Sequence, residues 1–235
     1  MRSFFTLVAI VACAIGWDFP VLADDEESEA GVEDSSAGLP GQYAKDYLIA
    51  RSTISPDKKF AVIYPTSEAE EAAENANHPE RVKDYIVALQ PFTVLGELRT
   101  KYPYFQNQNH GRISADWSAD SSVAVITLHG KWGPREVFLL EFRDGKLART
   151  TNILAKARDL LLPHYRKARA GPYNDYFDFI FDADEGTIFK LDGTDRVAID
   201  GVATNNPKDR GWRAHLNASW NIAEAKFTSQ KVTNE

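Results

Sequence analysis

The chain has 235 residues, a formal net charge of −7 and one cysteine, Cys13. Residues 24–38 hold seven acidic and no basic side chains, whereas residues 39–235 hold 26 of each sign. The acidity therefore belongs to one short segment. No basic stripe with interleaved aromatic residues occurs, so nucleic acid is excluded as a predicted partner.

The first 23 residues have the pattern of a cleavable secretory signal peptide. Arg2 gives a positive start, an apolar run extends from Phe4 to Trp17, and Pro20 breaks it before the small residue Ala23. The run is shorter than the roughly 20 apolar residues that span a bilayer. The sequence therefore predicts export to a periplasmic or extracellular location, with no membrane span after cleavage.

Two alternatives to a soluble product remain. The same apolar run is compatible with an uncleaved N-terminal anchor or a buried helix. In addition, Ile10-Val11-Ala12-Cys13 loosely matches the sequence that precedes a lipid-modified cysteine, so anchoring through Cys13 is the alternative localisation. A cleaved product has no cysteine, which excludes disulfides and thiolate catalysis, and this composition favours a bacterial envelope.

The product divides into a leader and one body. Residues 24–38 have few apolar side chains to bury and are predicted to be a disordered acidic leader. Residues 39–235 are predicted to form a single β-rich domain, with repeat-like units at 47–99, 111–151 and 174–233.

The first two units share a pattern of strands and turns. The segments ISPDKKFAVIYP (54–65) and WSADSSVAVITL (117–128) place Ser, Asp and an apolar Ala-Val-Ile at matching positions, and an apolar hairpin follows each of them, DYIVALQPFTVLGEL and EVFLLEFRDGKLART. Ser and Asp favour such turns because their side chains bond to nearby backbone groups. Residues 67–82 are rich in Glu, Ala and Asn; they could form a helical turn, but they are interpreted as a polar insertion.

The Ser-Pro-Asp-x-Lys turn followed by an apolar strand resembles the repeat of WD-like β-propellers of the bacterial envelope. The resemblance covers residues 47–64, 112–128 and the two hairpins that follow them. It implies four-stranded, propeller-blade-like antiparallel sheets. Two clear units and a weaker third one are too few for a closed ring.

Residues 152–169 interrupt the β pattern. One face of a helix is formed by apolar residues, so we predict one amphipathic helix between the second and third units; these residues are Ile153, Leu154, Ala157, Leu160, Leu161 and Tyr165. Pro163 is expected to kink or end this helix. The third unit then has predicted strands at 177–181, 187–191, 196–203, 213–222 and 226–232.

The predicted binding site lies in two glycine-rich loops at one end of the second unit. Because the entry and exit of an antiparallel pair lie together, these loops are expected to bring five side chains close to one another: Asn109, His110, His129, Lys131 and Trp132. Two histidines, a cation and an aromatic ring suit a small polar ligand. The alternative is a pair of ordinary solvated loops with Trp132 in the core.

No catalytic motif, cofactor or metal site is predicted. Gly-x-Ser-x-Gly, Ser-x-x-Lys, phosphate-binding Gly-rich loops and His-Glu-x-x-His are all absent from the sequence. Asp182-Ala183-Asp184-Glu185-Gly186 resembles the start of a calcium loop, but its glycine comes too early and the bidentate Glu is missing, so a solvated turn is favoured.

These observations favour an exported binding module without catalysis, whose partner is an unidentified envelope protein or small ligand. The alternative is an envelope hydrolase that uses His110 and His129 or a pair of carboxylates. The oligomeric state is open, and one hypothesis is that several chains associate to complete a larger propeller.

Overall fold

The computed structural model describes residues 34–78, 82–101, 103–184, 186–208 and 211–234. The predicted signal peptide and residues 24–33 of the predicted leader lie outside this part of the chain. Residues from Glu33 to Glu235 form one compact unit. The fold is mainly β, with three antiparallel sheets, as the sequence predicted.

In the first sheet the strands lie side by side in the order in which they follow one another along the chain. It contains β1 (Tyr47–Ala50), β2 (Phe60–Pro65), β3 (Asp84–Leu89) and β4 (Phe92–Leu98). A short 3-10 turn at Arg51–Thr53 follows β1. A short helix, α1 (Gly41–Asp46), precedes β1.

The segment 67–82 is not merely a polar insertion. It contains a nine-residue helix, α2 (Ser67–Asn75), which begins where the Thr66 hydroxyl accepts a hydrogen bond from the Ala69 amide at 3.2 Å. Glu68 and Glu70 lie in its first turn, where negative charge stabilises a helix. Alanine propensity and this N-cap therefore outweigh the polar composition.

The second sheet repeats the meander of the first. It contains β5 (Arg112–Trp117), β6 (Val123–Gly130), β7 (Gly133–Arg143) and β8 (Lys146–Asn152). The β7–β8 connection is the predicted Asp144-Gly145 turn, and both residues have positive φ angles of 51° and 72°. This conformation is the one that a two-residue hairpin turn needs.

The predicted amphipathic helix is α3 (Ile153–Ala168), and the Asn152 side chain caps it by accepting from the Ala155 amide at 2.8 Å. Its buried face contains five of the six predicted residues, among them Leu161 and Tyr165, whereas Leu160 is only partly buried. Pro163 does not end the helix, which continues to Ala168. Pro163 is exposed, and a kink at this position remains a prediction.

The third sheet contains β10 (Ile188–Asp192), β11 (Arg196–Thr204), β12 (Arg213–Asn221) and β13 (Lys226–Asn234). The predicted strand 177–181 is only β9 (Ile180–Phe181), which pairs with the end of β11. Phe179, which precedes β9, is fully buried in the core.

The core consists of layers between consecutive sheets. One apolar cluster joins the facing sides of the first and second sheets, and another joins the second sheet, α3 and the third sheet. A smaller cluster covers the outer face of the first sheet, where Leu39 and Tyr43 pack against Ile63 and Val87. Among the described residues, no helix has the length and apolar character needed to cross a bilayer.

The last residues of the predicted leader, 34–38, contact the folded body. Asp34 accepts hydrogen bonds from the Arg51 amide at 2.9 Å and from the Tyr64 hydroxyl at 2.5 Å. Ser35 forms an isolated bridge with Ile49. Ordered structure thus begins by Asp34, ahead of the predicted boundary at Leu39, because a carboxylate and one bridge bind this segment to β1 and β2.

Candidate functional site

The two Ser–Asp turns have the same hydrogen bonds. Ser55 Oγ accepts from the Phe60 amide at 2.9 Å and donates to Asp57 at 2.7 Å. Ser118 Oγ likewise accepts from the Val123 amide at 3.0 Å and donates to Asp120 at 2.7 Å. Both serines are buried. These residues shape the turns, so the repeated motif has a structural role; membership of the WD-like family remains a prediction.

The five predicted binding residues lie at the same end of the second sheet, where Arg112 pairs with His129. Asn109 and His110 are exposed on the loop before β5. No hydrogen bond joins His110 to His129 among the contacts of the described residues. Within the set, one interaction is present: the Lys131 ammonium lies 4.7 Å from the ring centroid of Trp132. Binding by these residues remains a prediction.

Trp132 and Gly133 also connect the second sheet to the third. The Trp132 carbonyl accepts a hydrogen bond from the Ala183 amide at 3.1 Å. A Cβ atom on Gly133, whose φ is 153°, would lie 1.9 Å from the Phe181 carbonyl oxygen. The β6–β7 turn therefore needs glycine because the two sheets pack closely there. A structural role of this kind is the alternative to a binding role that the sequence left open for these loops.

His129 is half-buried and lies against Ser114, with 2.9 Å between His129 Nε2 and Ser114 Oγ. Burial, together with the nearby Arg112 charge, lowers the pKa of His129 to about 4. No carboxylate among the described residues bonds to the ring to orient it. A serine and a histidine are therefore adjacent, but the histidine is a weaker base than an ordinary imidazole.

A cleft of about 450 Å³ lies between the first and second sheets. The end of β4 supplies one wall and β7 and β8 supply the other; its lining residues are Gly96, Glu97, Arg99, Phe138, Thr150 and Asn152. The volume falls in the range of small-molecule sites, roughly 300–1,000 Å³. The sequence interpretation missed this cleft, because its residues come from two units that meet only when the sheets stack.

Charge in the cleft is only partly compensated. Glu97 is paired with Lys83 at 2.7 Å, and Asn152 donates to Glu136 at 2.6 Å. In contrast, no acidic side chain in the described part of the chain is bonded to the exposed Arg99. The cleft thus presents a guanidinium beside the Thr150 hydroxyl, an arrangement suited to a carboxylate or phosphate group.

Asp84, the first residue of β3, is the second feature that the sequence interpretation missed. Its side chain is 0% exposed, Oδ2 accepts from the Tyr104 amide at 2.9 Å, and Oδ1 has no hydrogen-bond partner among the described residues. Burial raises the pKa of Asp84 to about 8. The sequence does show an acidic residue at the start of an apolar strand. It does not show that this residue is buried, because the burial depends on the segment that follows β4.

No group of three or more His, Cys, Asp or Glu side chains in the described ranges is arranged to hold a metal ion. Asp182 lies in a turn in which its carboxylate accepts from the Asp184 amide at 2.9 Å. No family model matches this chain, and no curated protein matches it.

Proposed function

We propose that this protein is an exported binding module that takes a small ligand with a carboxylate or phosphate group into the cleft between the first and second sheets. The observation that carries the proposal is the Arg99 guanidinium, which lines a cleft of about 450 Å³ and has no acidic partner in the described part of the chain. The export signal at residues 1–23 supports an envelope or extracellular setting.

The polar groups of the cleft have different roles in this proposal. Arg99 supplies the charge and a planar set of donors that matches a carboxylate or phosphate. Thr150 offers a hydroxyl from the facing sheet, and Phe138 forms the apolar floor. Glu97 is already paired with Lys83, so it does not neutralise Arg99 directly.

The proposal is for binding rather than turnover. Glu136 and Glu97 are each engaged by a neighbouring side chain, Asn152 and Lys83 respectively. His129, the histidine of the hydrolase alternative, has a lowered pKa and bonds to Ser114. Both observations favour a binding role over acid–base chemistry.

Calorimetric titration with citrate and with glycerol 3-phosphate tests this proposal, because the two probes carry the two anionic groups. We expect saturable binding of at least one probe to the protein that starts near Asp24. Arg99→Ala should weaken that binding at least tenfold, since a charge-assisted contact is worth about 1.5–3 kcal/mol.

The matched control is Arg143→Ala, which removes an exposed arginine from the far end of β7. It should leave affinity unchanged. The proposal is wrong if neither probe binds, or if Arg99→Ala binds as tightly as the Arg143→Ala control.

A further inference from the structure

We propose that Asp84 acts as a pH-sensitive latch for the connecting segment, defined as residues 103–111, which joins the first sheet to the second. When the Asp84 carboxyl is neutral, the segment is held on the first sheet. When the carboxyl ionises, the segment opens and gives Asp84 access to water. The latch does not depend on the proposed ligand.

The latch rests on where the two carboxyl oxygens point. Oδ2 accepts the Tyr104 amide, so the carboxyl binds the connecting segment directly. Oδ1 has no partner among the described residues, and the side chain is fully buried. A neutral carboxyl tolerates this setting, whereas a carboxylate with one unbonded oxygen is strongly disfavoured without water.

The connecting segment is also attached through Gln106, which bonds to the end of β2 and to the start of α2. The Gln106 amide donates to the Pro65 carbonyl at 3.0 Å, and the Ser67 hydroxyl donates to the Gln106 carbonyl at 3.0 Å. The Tyr104 ring packs edge-on against Tyr64, with 4.8 Å between the centroids. These contacts lie at one end of the segment, so it can open as a unit.

The titratable groups around Asp84 do not offset its ionisation. Tyr104, on the connecting segment, has a raised pKa because of burial and the charges of Asp34 and Asp84, and burial with the Asp34 hydrogen bond raises that of Tyr64 on β2. From the second sheet, Glu136 contacts the Lys101 amide at 3.4 Å. No cationic side chain in the described ranges bonds to Asp84.

Hydrogen–deuterium exchange of peptides covering residues 103–111, measured from pH 5 to pH 9 and corrected for intrinsic exchange, tests the latch. With a folded pKa for Asp84 of about 8 and an unfolded value of about 3.9, the opening constant should rise roughly tenfold per pH unit up to pH 8 and then level off. Peptides of β11 and β12 in the third sheet should keep their protection.

The decisive variant is Asp84→Asn, which keeps an oxygen to accept the Tyr104 amide and cannot ionise. Its exchange at 103–111 should be independent of pH. The matched control is Asp116→Asn, because Asp116 Oδ2 accepts the Leu191 amide at 2.8 Å and joins the second and third sheets in a comparable way. The control should follow the wild-type profile.

Three results would overturn the latch. The first is a flat wild-type profile between pH 5 and pH 8, and the second is a slope that survives in a folded Asp84→Asn protein. The third is a loss of protection that affects the third sheet to the same extent, which would mean that the whole chain opens.

Discussion

The two junctions between neighbouring sheets are built differently. At the first junction the sheets stack directly, and Phe60 packs on Phe142 with 4.4 Å between ring centroids. At the second junction α3 is inserted, and its fully buried Leu161 belongs to the same apolar cluster as residues of the second and third sheets. The Asp116 carboxylate and the Trp132 carbonyl then bond to backbone amides of the third unit.

This difference explains where the cleft lies. Direct stacking brings β4 to β8, where Gly96 is so close to Leu147 that a Cβ atom would lie 2.8 Å from its Cδ2 atom. Gly96 also lines the cleft, so the cleft lies next to this contact. At the second junction the apolar face of α3 packs into the core, and a smaller cavity of about 220 Å³ lies between other residues of α3 and Asp178 and Phe179. The element that comes after the last strand of a sheet therefore changes the size and lining of the space at the junction.

The outer faces of the stack also differ. The first sheet ends in an apolar cluster that the chain's own Leu39 and Tyr43 help to cover. The third sheet ends in a polar face, on which His215 bonds to Asp200 at 2.5 Å. Polar outer faces are typical of the terminal units of repeat proteins. These two faces therefore differ in polarity, and completing a larger propeller by association between chains remains a hypothesis.

The largest expected effect comes from breaking the direct stack with Phe60→Ala. Phe60 is 6% exposed and also stacks on Trp117, so its loss should lower the free energy of unfolding by about 3–5 kcal/mol. Urea denaturation measures this change. Phe60→Leu, which keeps most of the volume, should lose less than half as much; equal losses would show that ring stacking, rather than buried volume, holds this junction.

The second junction is tested by Gly133→Ala. The added Cβ atom would meet the Phe181 carbonyl oxygen at 1.9 Å, so the third unit has to move, and we expect a loss of about 2–4 kcal/mol. Thermal unfolding checks this value. Gly145→Ala is the control, because Gly145 also has a positive φ but nothing lies within 4 Å of the added atom. Its cost should be near 1 kcal/mol, and equal losses would assign the Gly133 effect to backbone strain alone.

The local patterns predicted the strands well, because turns and alternating apolar residues are encoded within a few positions. The predicted strands 196–203 and 213–222 form as β11 and β12, each within one residue of the predicted bounds, and the Ser–Asp turns form as expected. The hairpins correspond less simply. Phe60 pairs with Ala88, and Val123, the equivalent of Phe60 in the second unit, pairs with Glu141. In the structure Ala88 is therefore equivalent to Glu141. Aligning the two hairpin sequences from their first residues instead matches Ala88 with Leu140. A shift of one residue exchanges the two faces of a strand.

The site was predicted less well for a physical reason. Strand pairing does place the loops before β5 and after β6 at one end of the second sheet, which the alternation indicated. Arg99 and Thr150 become neighbours only when two sheets stack, and nothing local records that contact. The burial of Asp84 similarly depends on the distant Tyr104.

A smaller effect will show whether the two repeated turns are equivalent. Ser55→Ala and Ser118→Ala each remove an acceptor from a buried strand amide, and each should cost about 1–2 kcal/mol. Chemical denaturation of both variants, with the exposed Ser229→Ala as control, checks this. The two losses should agree within about 0.5 kcal/mol; a larger difference would mean that the turns share a geometry but not a role.

The smallest effect concerns the acid side of the pH profile. Burial holds the pKa of His129 at about 4, below its value of about 6.5 in an unfolded chain, so the unfolded state gains a proton first as the pH falls. His129 therefore contributes stability above pH 6.5 that is lost between pH 6.5 and pH 4. His129→Gln keeps a polar group near Ser114 but does not titrate. As the pH is lowered from 7 to 4, the melting temperature should fall less steeply for this variant than for the wild type. The difference should be modest because the ring is only half-buried.

Parallel curves would mean that His129 is free to protonate in the folded protein, which would restore it as a base for the hydrolase alternative. His110→Gln, on the exposed loop, should follow the wild-type curve and serves as the matched control.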